Sequence, residues 1–296
     1  MSEFKKIGLI GRPDHAGVVE SLQRLLAFLD SQDVEIILEE GTGGLLSNHQ
    51  QEVCTRETLG KNCDLVIVVG GDGSMLNAAQ IIASEDVPVI GINRGRLGFL
   101  TDISPEEIEL KIAQVLAGQY SLESRFLLDI EAIHEGERIS LGCALNDVVL
   151  HPGKAAQMIE FELFIDDDFV YSQESDGLIV ATPTGSTAYA MSAGGPIMHP
   201  CLNAIALVPI CPHSLSSRPI VVDGDSEIRL VVARKHAILP QISRDGEVKF
   251  TAVPGDEIIV KKKAKTLQLI HLPDYSFYQA YRSKLGWGSR LEKKDD

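Results

Sequence analysis

Leu65-Val66-Ile67-Val68-Val69 runs straight into Gly70-Gly71-Asp72-Gly73-Ser74, and Met75–Ala83 continues with helical spacing. Five consecutive apolar residues closed by glycine read as a strand buried on both faces, the habit of parallel sheets. Strand, glycine turn and helix together predict a β-α unit. In an open α/β sheet, ligands gather outside the carboxyl ends of the strands, where this turn sits. Glycines there let the backbone approach closely and aim N–H groups at phosphate, helped by the positive end of the next helix. A carboxylate inside such a loop is costly unless it has a task. Asp72 could take a proton from an attacking hydroxyl or hold a metal. The plainer alternative is that Asp72 caps the helix.

The same alternation extends outward. Lys6–Ile10, Val34–Leu38 and Val87–Ile92 are apolar runs of strand length, and Val18, Leu22, Leu25, Leu26 and Leu29 recur at helical spacing. This predicts an α/β N-terminal domain, doubly wound around a parallel sheet. Ser104-Pro105-Glu106-Glu107 opens a further helix, with Ser104 as cap, Pro105 at the first helical position and Glu107 closing a capping box. Ile108, Ile112, Val115 and Leu116 form its buried stripe, and Gly118 ends it.

From about Ser121 the pattern changes. Phe126–Ile133, Met158–Ile165, Ile220–Val222, Ile228–Val232 and Glu257–Val260 are short, β-branched and separated by turn residues. Glu135-Gly136-Glu137, Asp166-Asp167-Asp168 and Asp223-Gly224-Asp225 read as hairpin tips, and Lys261-Lys262-Lys263 as an exposed charged strand end. Expected, then, are an α/β domain over 1–120 carrying the glycine loop and a mostly β C-terminal domain over 121–272. A tail over 273–296 is expected to pack back on the first domain. Its stretch Tyr275–Leu291 carries the single Trp287.

Composition narrows the function. The 296 residues are 44% apolar and 23% charged, as in ordinary globular proteins. Lys and Arg number 27 against 42 Asp and Glu, a net charge of −15. So negative a surface repels nucleic acid and anionic membranes, while leaving room for one anionic ligand held by backbone N–H groups. The start of the chain has too short an apolar run for a signal peptide. Cys54, Cys63, Cys143, Cys201 and Cys211 are odd in number and form no Cys-x-x-Cys, which suits reduced, mostly buried thiols in a cytoplasmic protein. Gly177–Ser217 lacks charged side chains but is broken by Pro183, Pro196, Pro200, Pro209 and Pro212. It reads as buried core plus a ligand-facing loop.

Two further constellations suit a polar ligand. Asp176-Gly177 precedes Thr182-Pro183-Thr184-Gly185-Ser186-Thr187-Ala188-Tyr189, a dense run of hydroxyls whose Tyr189 could pack against a base. An ordinary Ser/Thr turn is the alternative. Asn146-Asp147 interrupts the apolar Ala144–Leu150, so one of the two should point inward and need a partner, either ribose hydroxyls or an Arg. There is no P-loop and no Gly-x-Gly-x-x-Gly, and without that fingerprint Glu39 and Glu40 read as solvated strand-end charges. His199-Pro200-Cys201 and Cys211-Pro212-His213 lack a third ligand and read as packing.

In this combination the chain resembles the NAD kinase family, ATP-dependent enzymes that phosphorylate the 2′-hydroxyl of the adenosine ribose of NAD. The resemblance rests on Gly70-Gly71-Asp72-Gly73, Gly91-Ile92-Asn93 with Leu97-Gly98-Phe99-Leu100-Thr101, Asn146-Asp147, and Asp176 through Ser192, in the family's order over most of the chain. The tail Lys284-Leu285-Gly286-Trp287 is similar to that of proteobacterial members. The resemblance implies that Asp72 is the catalytic proton acceptor and that Gly70, Gly71, Gly73 and Ser74 form the phosphate loop. It further implies NAD contacts from Asp72, Gly73, Phe99, Asn146, Asp147, Asp176, Thr187, Ala188, Tyr189, Ala190, Met191 and Ser192. Glu174 and Glu247 are expected at the same site, standing where related enzymes often carry Arg and Gln, and Asp147 stands in place of the commoner Glu. A divalent metal, Mg²⁺, is implied, with unknown ligands, as is a homo-oligomer, dimer or tetramer. ATP and NAD are the implied substrates.

Diacylglycerol-type lipid kinases and phosphofructokinases share the Gly-Gly-Asp-Gly loop. The first would need an apolar slot or basic membrane patch and the second basic sugar-phosphate ligands. A non-catalytic NAD-binding module would bind NAD yet release no ADP.

Overall fold

The computed structural model describes residues 3–12, 17–47, 49–94, 98–153, 157–234 and 238–287. Leu97 of the second motif, the opening Met1-Ser2 and the end of Tyr275–Leu291 lie outside them. The chain divides into two compact units, one of residues 1–124 with 267–296 and the other of residues 125–266.

The first unit contains β1 (Lys6–Gly11), α1 (Val18–Leu29), β2 (Glu35–Glu39), α2 (Glu40–Leu45), β3 (Glu52–Cys54), α3 (Arg56–Asn62), β4 (Leu65–Gly70), α4 (Asp72–Ile82), β5 (Val89–Asn93) and α5 (Ile108–Leu116). The strands lie in the order β5-β4-β1-β2-β3, every pair parallel. All six residues of β4 are buried, which is why its run carries no polar alternation. Ile67 and Val69 pack with Leu22, Leu25 and Leu29 of α1 and Ile108 and Ile112 of α5 in one core. Each such leucine contributes roughly 1.5–3 kcal/mol by burial.

Three local expectations give way here. Glu39 is only 6% exposed. It caps α2, its carboxylate accepting from the Thr42 N–H at 2.9 Å and the Thr42 hydroxyl at 3.0 Å, with Arg56 at 3.3 Å. The Thr42 hydroxyl in turn accepts from Gly11 N–H at 2.8 Å, so the acid ties α2 to the end of β1 instead of facing water. The capping box does not form, because Pro105–Glu107 is a 3₁₀ turn whose tighter winding leaves Ser104 without a side-chain bond to the main chain. The Ser104 hydroxyl donates to the Glu107 carboxylate at 2.7 Å. Finally, α4 starts three residues before Met75, with Gly71 as its cap.

The second unit takes in most of β6 (Ser121–His134), then β7 (Glu137–Ala144), β8 (Asp147–His151), β9 (Ile159–Ile165), β10 (Asp168–Ser175), β11 (Gly177–Ala181), α6 (Tyr189–Ser192), β12 (Ala204–Ile210), β13 (Ile220–Asp223), β14 (Ile228–Val232), β15 (Gln241–Arg244), β16 (Glu247–Thr251) and the first part of β17 (Glu257–His271). One sheet has the antiparallel order β13-β12-β11-β8-β15-β16; elsewhere β10-β9-β14-β17 runs antiparallel and β6 pairs with β7. Leu178 and Val180 face a core shared with Phe161, Leu163, Ile228 and Ile258, whereas Ile179 and Ala181 face a second cluster with Ala190 and Met198. The charge-free Gly177–Ser217 is therefore β11, α6 and β12 in this structure. Among the described residues no helix is long and apolar enough to cross a membrane.

This half departs from expectation as well. Lys261-Lys262-Lys263 lies in the middle of β17 and pairs with Glu227 (2.6 Å), Asp225 (3.0 Å) and Asp129 (3.0 Å). Each of these side chains finds a carboxylate on a neighbouring segment, and Lys262 also lies 5.4 Å from the centroid of Phe126, so the charges do not end the strand. Asp223-Gly224-Asp225 is no hairpin tip: β13 pairs with β12, while β14 pairs with β9 and β17. Cys201 and Cys211 are exposed, although none of the five cysteines is in a disulfide. Residues 267–272, expected with the β domain, pack with the first unit, where Leu269 pairs with Val89 and Ile270 and Leu272 join its core. The helix α7 (Phe277–Leu285) belongs to that unit as well, capped by Ser276 and ended by Gly286 in the left-handed region.

Candidate active site

Asp72 is the first helical residue of α4, at the carboxyl end of β4. Its carboxylate does not cap its own helix. Oδ2 accepts from Phe99 N–H at 2.8 Å and Oδ1 from Leu100 N–H at 3.0 Å, with the Thr101 hydroxyl at 3.3 Å. The short pair fixes its orientation, and Gly98 makes the approach possible, since a Cβ at that position would overlap Asp72 Oδ1 and Thr101 Oγ1. One side of the carboxylate remains accessible, the side chain being 33% exposed. Ser74, one turn into α4, is buried, and its hydroxyl has no hydrogen-bond partner among the described residues. Gly73 is exposed and lies beside Arg12, whose Nη1 is 3.5 Å from where a Cβ on Gly73 would stand. Free N–H groups at a helix start, a buried hydroxyl and a guanidinium are together suited to phosphate oxygens.

A third neighbour comes from α7. Lys284 Nζ stands 3.4 Å from Asp72 Oδ2 and 4.0 Å from the centroid of Phe99. Burial pulls the Lys284 pKa down, opposed by the Asp72 and Asp102 carboxylates. Tyr281, 3% exposed, packs its ring 5.2 Å from that of Phe99.

In the second unit, the structure brings Asn146-Asp147 and the Thr182–Ser192 segment together. Thr182 N–H donates to the Asn146 carbonyl at 2.9 Å and the Thr182 hydroxyl to the Leu145 carbonyl at 2.6 Å. Gly185 packs so closely that a Cβ there would overlap the Asn146 carbonyl. Thr187 bonds back to the Thr184 carbonyl at 3.2 Å, and Tyr189 presents a ring that is 48% exposed. Ala188 leads into α6, where Met191 is half-buried and Ser192 exposed. Ala190 is wholly buried, so only its backbone can face a ligand.

Of the partners expected at Asn146-Asp147, ribose hydroxyls or an Arg, no Arg acts on Asp147 among the described residues, and its charged neighbour is the Asp245 carboxylate. Asp147 is 4% exposed, and its carboxyl is pushed up to about 7 by burial first and the Asp245 carboxylate second. Asp245 sits in the β15–β16 turn at φ 48° and accepts from the N–H groups of Leu145 (3.0 Å), Asn146 (2.7 Å) and Asp147 (3.2 Å). Two other sequence candidates lie elsewhere in this unit. Glu174, on β10, lines a cavity of about 430 Å³ with Gln173, His213 and Arg218. Glu247 is exposed and paired with Lys249 at 2.6 Å. Asp176, between β10 and β11, is half-buried and donates its N–H to the Ile210 carbonyl at 2.9 Å.

Asp245, Arg12 and Lys284 were not foreseen. Arg12 carried a signal, since it directly follows a strand at the ligand-facing edge of the sheet. Asp245 carried none, 98 to 100 residues separating it from its partners; Lys284 stood in a tail similar to the family's, but its approach to Asp72, 212 residues away, had no sequence signal. Among the described residues no three His, Cys, Asp or Glu side chains converge as a metal cage.

Comparison with known proteins bears on the family. Residues 7–120 match the ATP-NAD kinase N-terminal domain and residues 145–272 the ATP-NAD kinase C-terminal domain. An NAD kinase of Ectopseudomonas mendocina is 59% identical over 295 residues, covering 100% of both chains. One of Azotobacter vinelandii is 58% identical over 291 residues, covering 98% of this chain and 99% of the other. Among solved structures, a yeast NADH kinase complexed with NADH superposes with a TM-score of 0.88 at 26% identity, over 96% of this chain and 88% of that one. An Archaeoglobus fulgidus NAD kinase in complex with ATP gives 0.72 at 26% identity, over 95% and 97%. An aspartate alone could serve merely to pin a turn; with two matched domains and full-length relatives around it, the chain belongs to the ATP-NAD kinase family.

Proposed function

We propose that this chain transfers the γ-phosphoryl group of ATP to the 2′-hydroxyl of the adenosine ribose of NAD, with Asp72 as proton acceptor. The observation that carries this is the Asp72 carboxylate, oriented by two main-chain N–H groups at the mouth of a glycine turn and open on one side. A carboxylate has about four acceptor positions. Two are held by short bonds, and the longer contacts to Thr101 and Lys284 leave capacity for a ribose hydroxyl. As the oxygen attacks phosphorus, its proton passes to Asp72 and the bond to the ADP oxygen breaks. Phosphoryl transfer asks the protein chiefly for positioning and charge compensation. Gly70, Gly71, Gly73 and Ser74 would supply close backbone and a hydroxyl, and Arg12 a positive charge. Asn146, Asp147, Asp176, Thr187, Ala188, Tyr189, Ala190, Met191 and Ser192 would contact the dinucleotide from the second unit, and Gly73 and Phe99 from the first. Asp245, which organises the Asn146 turn, supports that assignment.

Mg²⁺ would arrive with the donor phosphates, since this metal commonly takes only one or two carboxylates besides them. Among the described residues no three His, Cys, Asp or Glu side chains form a cage of their own. Free thiols support a reducing, cytoplasmic setting.

The test is formation of NADP and ADP by the purified chain from NAD, ATP and Mg²⁺, followed by Asp72→Asn. General-base assistance is worth about 10²- to 10⁴-fold, so turnover should fall by that factor while the NAD KM changes little. Near-normal turnover in the variant removes Asp72 from the chemistry; NAD binding without ADP release identifies a binding module.

A further inference from the structure

We infer that Lys284 of the C-terminal helix α7 is a positioning residue for phosphoryl transfer, acting through Asp72. This rests on the reading of Asp72 as proton acceptor. The helix carrying Lys284 is built to place it. Ser276 caps α7, its hydroxyl accepting from Gln279 N–H at 3.4 Å, and Gly286 closes the other end at φ 66°. Its only buried residue is Tyr281, which sits against Phe99 at 5.2 Å and Phe277 at 4.1 Å. A nine-residue helix with one buried anchor contributes little core. What the anchor does is hold the next turn over Phe99, with the ammonium 4.0 Å from the ring centroid and 3.4 Å from Asp72 Oδ2.

The environment of that ammonium is unlike an ordinary surface pair. The Lys284 side chain is 17% exposed, and its stem and charge lie on an aromatic face. The distance to Asp72 exceeds the 2.7–2.9 Å of a tight charge-assisted bond, so the cation attracts the carboxylate without saturating it. Before reaction this holds the carboxylate in its fixed orientation. When the O–H bond of the ribose breaks and the proton reaches Asp72, the carboxylate charge is lost. The bond from oxygen to phosphorus forms and that to the ADP oxygen breaks, while the ammonium keeps Asp72 in place beside Phe99. A group that orients the proton acceptor and does not touch the substrates acts on kcat, with little effect on their binding.

The experiment uses the full-length protein and four variants: Lys284→Met, Lys284→Arg, Asp72→Asn and the double variant Asp72→Asn with Lys284→Met. Lys284→Met should lower kcat about 10- to 100-fold with the KM values for NAD and ATP within about twofold. Lys284→Arg, which keeps the charge, should recover to within about fivefold of the parent. The double variant should be no more than about threefold slower than Asp72→Asn alone, since residues acting as a unit are not additive. Emission from Trp287, the single tryptophan, whose ring is 5.9 Å from Tyr281, reports that α7 remains docked. Multiplying losses in the double variant, or a raised ATP KM at unchanged kcat, would overturn the inference, as would a Lys284→Met enzyme as fast as the parent. If Asp72→Asn itself stays active, the proton-acceptor reading fails first and Lys284 falls with it.

Discussion

Two carboxylates, one in each unit, do similar work with different outcomes. Asp72 and Asp245 both accept main-chain N–H groups from distant turns, Phe99 and Leu100 in one case and Leu145, Asn146 and Asp147 in the other. At Asp245 three donors converge on one residue held at positive φ, and a neighbouring buried acid has its pKa raised. At Asp72 two donors suffice, one flank stays open, and a lysine stands near. Side by side, the first is a carboxylate that shapes a binding turn and the second one that keeps acceptor capacity for chemistry.

Gly98→Ala should disturb this distinction most. The new methyl must displace Asp72, and a misplacement near 1 Å can cost about 10²-fold, so kcat should drop by that order with unfolding temperature changed little. Turnover kept at the parent level would mean the Asp72 orientation is immaterial. Asp245→Ala should act on the opposite parameter. Hydrogen bonds to a charged acceptor are worth about 1.5–3 kcal/mol, so losing this acceptor should raise the NAD KM about tenfold and lower stability by a few kcal/mol, with kcat nearly preserved. Steady-state kinetics and urea unfolding read both.

Asp147→Asn tests the electrostatics beside Asp245. The folded chain holds the Asp147 carboxyl at about 7, against an ordinary value of 3.8. Folding therefore takes up a proton between those values: this group's contribution is greatest below about pH 4 and is lost as pH rises towards 7. Urea unfolding at pH 5 and pH 8 should show the parent losing stability relative to Asp147→Asn, by roughly 2–3 kcal/mol, since a tenfold change in proton affinity is worth about 1.4 kcal/mol. Parallel profiles would contradict it. Smallest of all is Glu247→Gln, at an exposed residue paired with Lys249, which should leave stability unchanged and alter the NAD KM less than about threefold.

The alternating sheet of the first unit and the strand-rich second half were readable because each depends on local repetition of apolar residues. The glycine loop was readable for the same reason, as a break in that repetition. Where the reading failed, a distant group had changed what a residue was for. Glu39 looked solvated until Thr42 and Arg56 closed around it, and Lys261–Lys263 looked like a strand end until Glu227, Asp225 and Asp129 paired with it.

The order of residues was thus enough for the element types, the family and the identity of Asp72 as the group to watch. Folding alone set that Asp72 turns to Phe99 and Leu100, that Asp245 gathers the Asn146 turn, and that Lys284 arrives from the far end of the chain. Periodicity and turn chemistry are properties of neighbours in sequence. A hydrogen bond or a Coulomb interaction depends on distance in space, and that distance exists only once the chain has folded.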